Sequence, residues 1–140
     1  MTPFEKKRFL VRLNEESLFN LIKDKLIPDL EKTDQFNPTD AFSVVRKKIY
    51  ELKCRRADYS DLLIEKIKWD SLIQKGSVYY INSTPKGIFS FNLSKINEPE
   101  WVVGMMPKTT EFENNEKIPK VVGYLDIYKD GNDITNLLIC

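Results

Sequence analysis

Residues 41–54 read AFSVVRKKIYELKC, two β-type runs on either side of Arg46-Lys47. Strand side chains alternate between faces with a period of two, so an antiparallel hairpin here commits every second residue to one side. A slip of a single residue would exchange the sides. A two-residue loop at positions 46 and 47 sets Val45 opposite Lys48, Phe42 opposite Glu51 and Asp40 opposite Lys53. Asp40, Glu51 and Lys53 then share one face. The turn contains neither Gly nor Asn, the residues that such short loops favour.

The flanking segments predict what this hairpin packs against. Thr2-Pro3-Phe4-Glu5 has the form of a capping box with Pro at the first helical position, and a short helix is expected there. NEESLFNLIKDKLIPDLE, residues 14–31, carries Leu18, Phe19, Leu21, Ile22, Leu26 and Leu30 on one broad side, predicting a helix that Pro28 kinks or shortens. SDLLIEKIKWDSLIQKG begins at a good N-cap, Ser60, and stops at Gly76, predicting a second helix of about four turns. SVYYINS and GIFSFNL flank the turn Thr84-Pro85-Lys86-Gly87 and predict another hairpin, followed by a short helical turn at LSKI. WVVGMM and PKVVGYLDIY read as strands, Asp130-Gly131-Asn132 as a turn, and DITNLLI as a final strand or a frayed helix. The order is that of an α/β fold, a mixed central sheet flanked by helices. The 140 residues suffice for a single domain, 1–140, with no Pro- or Gly/Ser-rich linker and no internal repeat.

What the chain lacks limits its chemistry. It has no histidine, which makes a zinc site improbable and excludes a His-dependent triad, a histidine-metal nuclease or a two-histidine phosphodiesterase. Hydrolysis would have to rely on carboxylates, lysine and a hard metal such as Mg²⁺. Cys54 and Cys140 form no spaced framework, which suits a reducing compartment. No apolar run reaches the roughly 20 residues that cross a bilayer, and MTPFEKKRFLVRL has no secretory core, so a soluble, cytoplasmic protein without a membrane partner is expected. A net charge of +1 rules out indiscriminate coating of nucleic acid. The basic residues are nonetheless uneven: Arg46, Lys47, Lys48, Lys53, Arg55 and Arg56 fall together, either as a solvated strand face or as a phosphate grip.

Two carboxylates from neighbouring strands suit a Mg²⁺ ion that leaves its other positions to water and phosphate, and an adjacent ammonium steadies developing negative charge. Asp40, Glu51 and Lys53 have that composition. The plainer alternative is a polar hairpin face whose charges pair across the strands. Two helical residues point to the same place. At about 100° per residue the apolar sector of the first long helix centres near Glu15, which is expected to face the sheet and to need a cation or metal there. On the second helix Lys66 falls amid Leu62, Leu63, Trp69 and Ile73, where it would meet Glu51 or a substrate phosphate, unless it snorkels past Trp69 to solvent.

This arrangement resembles the PD-(D/E)xK nucleases, a superfamily that includes restriction enzymes, Holliday junction resolvases and phage exonucleases. Their core runs helix, hairpin, strand bearing E-x-K, helix, strand. Pro38-Thr39-Asp40 resembles the first half of the motif, with one residue more than usual between Pro and the acid, and Glu51-Leu52-Lys53 resembles the second. Glu15 and Lys66 resemble the acid and the Lys or Gln that branches of the family carry on the first and second helices. The likeness covers residues 10–92 and leaves 93–140 as a C-terminal elaboration. It implies a restriction-endonuclease-like core, with Mg²⁺ or Mn²⁺ bound by Asp40, Glu51 and the Leu52 carbonyl and with Lys53 placing the attacking water. The implied substrate is a DNA phosphodiester, cut by an endonuclease rather than a strand-threading exonuclease. Arg46, Lys47, Lys48, Arg55 and Arg56 would grip backbone phosphates, and Thr109 and Thr110 could add contacts. Many relatives act as dimers, so a homodimer is compatible with the likeness. Two other readings stay open: a catalytically silent nucleic-acid-binding module on the same fold, and a structural or inhibitory protein of phage or mobile-element origin.

Overall fold

The computed structural model describes residues 1–33, 40–108 and 116–139. Thr2 caps helix α1 (Pro3–Arg12), its hydroxyl accepting from the Glu5 N–H. Asn14 and Ser17 exchange capping hydrogen bonds at the start of α2 (Glu15–Lys25). The helix ends ahead of Pro28, shorter than the 14–31 predicted, because a proline there has no N–H to continue the ladder. Then come strands β1 (Glu31–Lys32), β2 (Ala41–Ser43), β3 (Lys48–Cys54) and β4 (Asp61–Glu65), helix α3 (Lys66–Ile73), strands β5 (Val78–Thr84), β6 (Gly87–Asn92), β7 (Val102–Pro107), β8 (Lys117–Asp126) and β9 (Asn132–Asp133), and the short helix α4 (Thr135–Leu138). Among the described residues no helix is long and apolar enough to cross a membrane.

The described strands form a mixed α/β architecture with two sheets where the sequence suggested one. The first has six strands in the order β1-β2-β3-β5-β6-β9, and the second has three, β4-β8-β7. Every pairing is antiparallel except β3 with β5, which run parallel. A parallel pair needs a crossover, and β4 with α3 supplies it. The β5–β6 turn closes with Thr84 opposite Gly87, as the Thr-Pro-Lys-Gly stretch predicts. Gly87 sits at φ +147, and a Cβ there would come within 2.6 Å of the Thr135 hydroxyl.

Alternation along the central strands divides the interior in two. Tyr50, Leu52 and Ile81 face the helices and pack with Leu10, Leu18, Ile22 and Leu138. Val78 and Tyr80, with Phe89 and Phe91 of β6, face the other way, against Trp69 and Leu72 of α3 and Leu62, Ile64 and Leu125 of the second sheet. The result is three layers: helices, six-stranded sheet, then α3 with the three-stranded sheet.

Two expectations are corrected. Residues 61–65 form a strand, not the first turns of a helix beginning at Ser60. Leu62 and Ile64 are buried while their neighbours are not, and Leu62 and Leu125 are paired across β4 and β8, so a partner distant in sequence overrides the local helical pattern. The hairpin also has a four-residue connection, 44–47, closed by Lys47 in the left-handed region at φ 54. Ser43, not Val45, therefore stands opposite Lys48, and Phe42 stands opposite Ile49, not Glu51. The pairing is offset by two residues, an even number, so the faces are preserved.

Phe91 is fully buried between the two sheets. Phe91→Ala is expected to lower unfolding free energy by about 3–5 kcal/mol in a urea titration. A loss below about 1 kcal/mol would mean that the layers are not packed as described.

Candidate active site

Asp40 stands just before β2, where its backbone carbonyl accepts from Thr33 N–H at 3.1 Å. Continuing the β2–β3 register by one residue places it directly opposite Glu51, not Lys53 as the two-residue loop implied. Asp40 Oδ2 accepts a 2.6 Å hydrogen bond from the Leu52 N–H. Even-numbered residues of β3 bond towards β2 and odd-numbered ones towards β5, as Ile49 N–H to Ser77 O and Arg55 N–H to Ser83 O illustrate. A strand residue presents its N–H and C=O to the same edge. The Leu52 carbonyl is thus turned to the edge that Asp40 occupies, beyond the end of β2.

Glu51 is only 5% exposed. Burial, and then the hydrogen bond it shares with the Asp40 carboxyl, push its pKa from 4.5 up to about 7, while Lys68 pulls the other way. Lys68 Nζ lies 3.0 Å from Oε2. The contact is an ion pair to a buried oxygen, which no further hydrogen bond reaches among the described residues. Two carboxyls are thus held together with one ammonium at ion-pair distance to balance them. At neutral pH the cheapest remedy is a proton, and a divalent cation would serve the same need with more charge.

Glu51 and Lys68 open onto a groove of about 420 Å³ between the faces of the two sheets, while Asp40 lines a smaller depression of about 310 Å³ that shares Glu15 and Leu52 with it. Lys53 lies two residues from Glu51 on the same face of β3, exposed, with no ion-pair partner among the described residues. On the opposing wall, Lys120 pairs with Glu65 at 3.1 Å, and Met106 and Pro107 of β7 also line the groove. Glu15, in the first turn of α2, is exposed, contrary to the inward orientation expected of it. It nevertheless lines the rim of the groove, where partial desolvation and then Asp40 raise its pKa while Lys53 and Lys68 lower it. Burial pushes the Cys54 thiol up to about 11, so it is protonated at neutral pH.

Several predicted members are elsewhere. Lys66 pairs with Asp70 at 2.8 Å and lies over the Trp101 ring, away from Glu51. The lysine that α3 sends to Glu51 is Lys68, which the sequence reading missed. A helix beginning at Lys66 puts Lys68 four residues before the buried Leu72, on the same side, so a correct helix start would have revealed it. The basic cluster is dispersed. Lys48 is on the opposite face from Glu51, with Nζ donating to Ser77 Oγ at 2.6 Å and lying over Tyr79. Arg46 donates to the Leu26 carbonyl at 3.0 Å, and Lys47 is in the hairpin turn. Arg56 donates to the Val11 carbonyl. Only Arg55 belongs to the groove, and it is engaged by Asn82 Oδ1 at 2.7 Å, the Leu63 carbonyl at 2.7 Å and Tyr80 Oη at 3.3 Å. Pro38, Thr39, Thr109 and Thr110 lie outside the described residues.

Among the described residues no group of three or more His, Cys, Asp or Glu is gathered closely enough to form a ready-made metal cage. Mg²⁺ does not require one, since it keeps several waters and is commonly held by one or two carboxylates together with substrate phosphate. Asp40 and Glu51, two carboxyls served by one ammonium, and the Leu52 carbonyl fit a hard cation of that kind. No protein-family model matches the chain, and no curated protein does.

The raised pKa fixes the sign of a pH effect. Ionising Glu51 is harder in the folded protein than in the unfolded chain, so wild type loses stability as pH rises from about 4.5 through 7. In metal-free buffer, Glu51→Gln is expected to be more stable than wild type at pH 8 by about 2 kcal/mol, less than the full shift because water in the groove screens the pair. The difference should vanish below about pH 4.5, where both chains carry a neutral group. A difference that does not change between pH 5 and pH 8 would contradict the buried-pair geometry.

Proposed function

We propose that this chain is a metal-dependent DNA nuclease with a restriction-endonuclease-like core of the PD-(D/E)xK type, acting as an endonuclease. The observation that carries the reading is the juxtaposition of Asp40 with the buried Glu51 beside Lys53. The order α2, hairpin, E-x-K strand, α3 and parallel β5 supports it, with β4 inserted before α3.

Asp40, Glu51 and the Leu52 carbonyl would hold Mg²⁺ or Mn²⁺. Such an ion supplies Lewis-acid polarisation of the phosphodiester and of the attacking water. Glu51 must lose its proton to serve as a ligand, which makes occupancy a competition between proton and metal. Lys53, exposed and without a partner among the described residues, orients the water by donating a hydrogen bond and offsets charge accumulating on the phosphate. Lys68, paired with Glu51 at 3.0 Å, would also help to balance the charge of a phosphate in the groove. Lys120 lines the far wall, where it meets the nucleic-acid backbone. Arg55 keeps β3 and β4 at the spacing that leaves the groove open.

A second reading has its own support. The 3.0 Å approach of Lys68 to Glu51 neutralises much of the charge without any metal, as expected of a silent binding module. Incubation with plasmid, linear duplex, single strands and branched junctions, in Mg²⁺, Mn²⁺ or EDTA, separates the two. The nuclease reading expects metal-dependent cleavage that Glu51→Ala and Lys53→Ala each reduce by at least about 100-fold. Asp40→Asn should abolish cleavage yet leave DNA affinity nearly unchanged, because its part is to hold the ion. Cleavage should rise with pH through about 7 as Glu51 ionises. Full activity in Asp40→Asn would remove the assignment, and metal-insensitive binding without cleavage would favour the module.

A further inference from the structure

A second depression, of about 620 Å³, adjoins the groove. Arg55 and Leu63 line both. Beyond them it is bordered by Arg56, Tyr59, Tyr124 and one acid, Asp61. Tyr59 is 67% exposed and Tyr124 48%, and neither ring stacks on another among the described aromatic side chains. Tyr124 is held on β8 directly opposite Leu63 of β4, so its backbone is positioned by the strand pairing. Arg56 is tethered by its bond to the Val11 carbonyl, leaving its charge at the margin. From Glu51 to Arg55 is four residues along the β3 line, about 13 Å, so both depressions lie within the span of one short stretch of nucleic acid.

We propose that Tyr59 and Tyr124 form a base-stacking subsite continuous with the groove, which takes an unpaired base next to the bond being cut and so directs the protein to single-stranded or frayed nucleic acid. The inference rests on the phosphodiester reading of the groove and adds the substrate class. A base inside a duplex has both faces covered by its neighbours and cannot lie on a tyrosine. An extruded or unpaired base can, and any base offers a π-face, so such a platform selects strandedness and not sequence. The adjoining guanidiniums, Arg55 and Arg56, outnumber Asp61 and suit the backbone that carries that base.

The test uses the full chain in EDTA, so that binding is read without turnover. The probes are a single-stranded oligonucleotide carrying 2-aminopurine and the same sequence annealed to its complement, each as DNA and as RNA. Tyr59→Ala and Tyr124→Ala are each expected to weaken single-strand binding roughly tenfold and to relieve quenching of the probe, with duplex binding changed less than about twofold. Tyr→Phe at either position should restore both signals, since the ring and not the hydroxyl does the stacking. Tyr128→Ala, an exposed tyrosine that lines neither depression, should bind like wild type. Unchanged single-strand affinity in both alanine variants, or an equal loss on duplex, overturns the subsite. Cleavage assays keep this separate from the parent reading. Stacking without metal-dependent cutting would sustain the subsite and refute hydrolysis, whereas cutting that is indifferent to both tyrosines would do the reverse.

Discussion

The parallel pairing of β3 with β5 governs the rest of the molecule. Antiparallel neighbours can be joined by a tight turn, but this pair obliges the chain to leave the sheet after Cys54 and return at Val78. The excursion carries α3, which brings Trp69 and Leu72 onto one face, and β4, which cannot be left as an isolated strand. Pairing with β8 satisfies β4 and draws in β7, so a second sheet stands over the first. The groove is the space left between them near the edge where β2 ends, and the side chains that line it are those that this topology turns inwards.

In that space the electrostatics are deliberately unbalanced in one place and balanced in the others. Glu65 has Lys120, and Arg55 donates to three acceptors. Glu51 has Lys68 at 3.0 Å but is buried against a second carboxyl, so one ammonium serves two acids. Folded proteins ordinarily pair or neutralise such a group, and retaining it destabilises the native state at neutral pH. Under the proposed nuclease reading, a bound cation would offset that cost.

Much of this was legible in the sequence because it depends on parity. Asp40, Glu51 and Lys53 were assigned to one face from period-two counting, and they remain so although the loop is two residues longer than inferred. What could not be read was whatever depended on distant partners. Residues 61–65 carry a respectable helical pattern, and only β8 reveals them as a strand. That error moved the helix start and substituted Lys66 for Lys68. The basic run at 46–56 misled for a related reason: proximity in sequence says nothing about faces, and alternation sends Lys48 away from Glu51 while turn geometry removes Arg46 and Lys47.

The pairing of β4 with β8 also bears on how the molecule is assembled. β8 follows β4 only after α3 and three further strands, so their contact closes a long loop, the kind of step that slows folding. The six-stranded sheet can form most of its ladders from segments that are nearer neighbours. The wall bearing Tyr124 and Lys120 thus depends on one of the costlier contacts in the molecule to close, and the enclosure around Glu51 depends on it in turn.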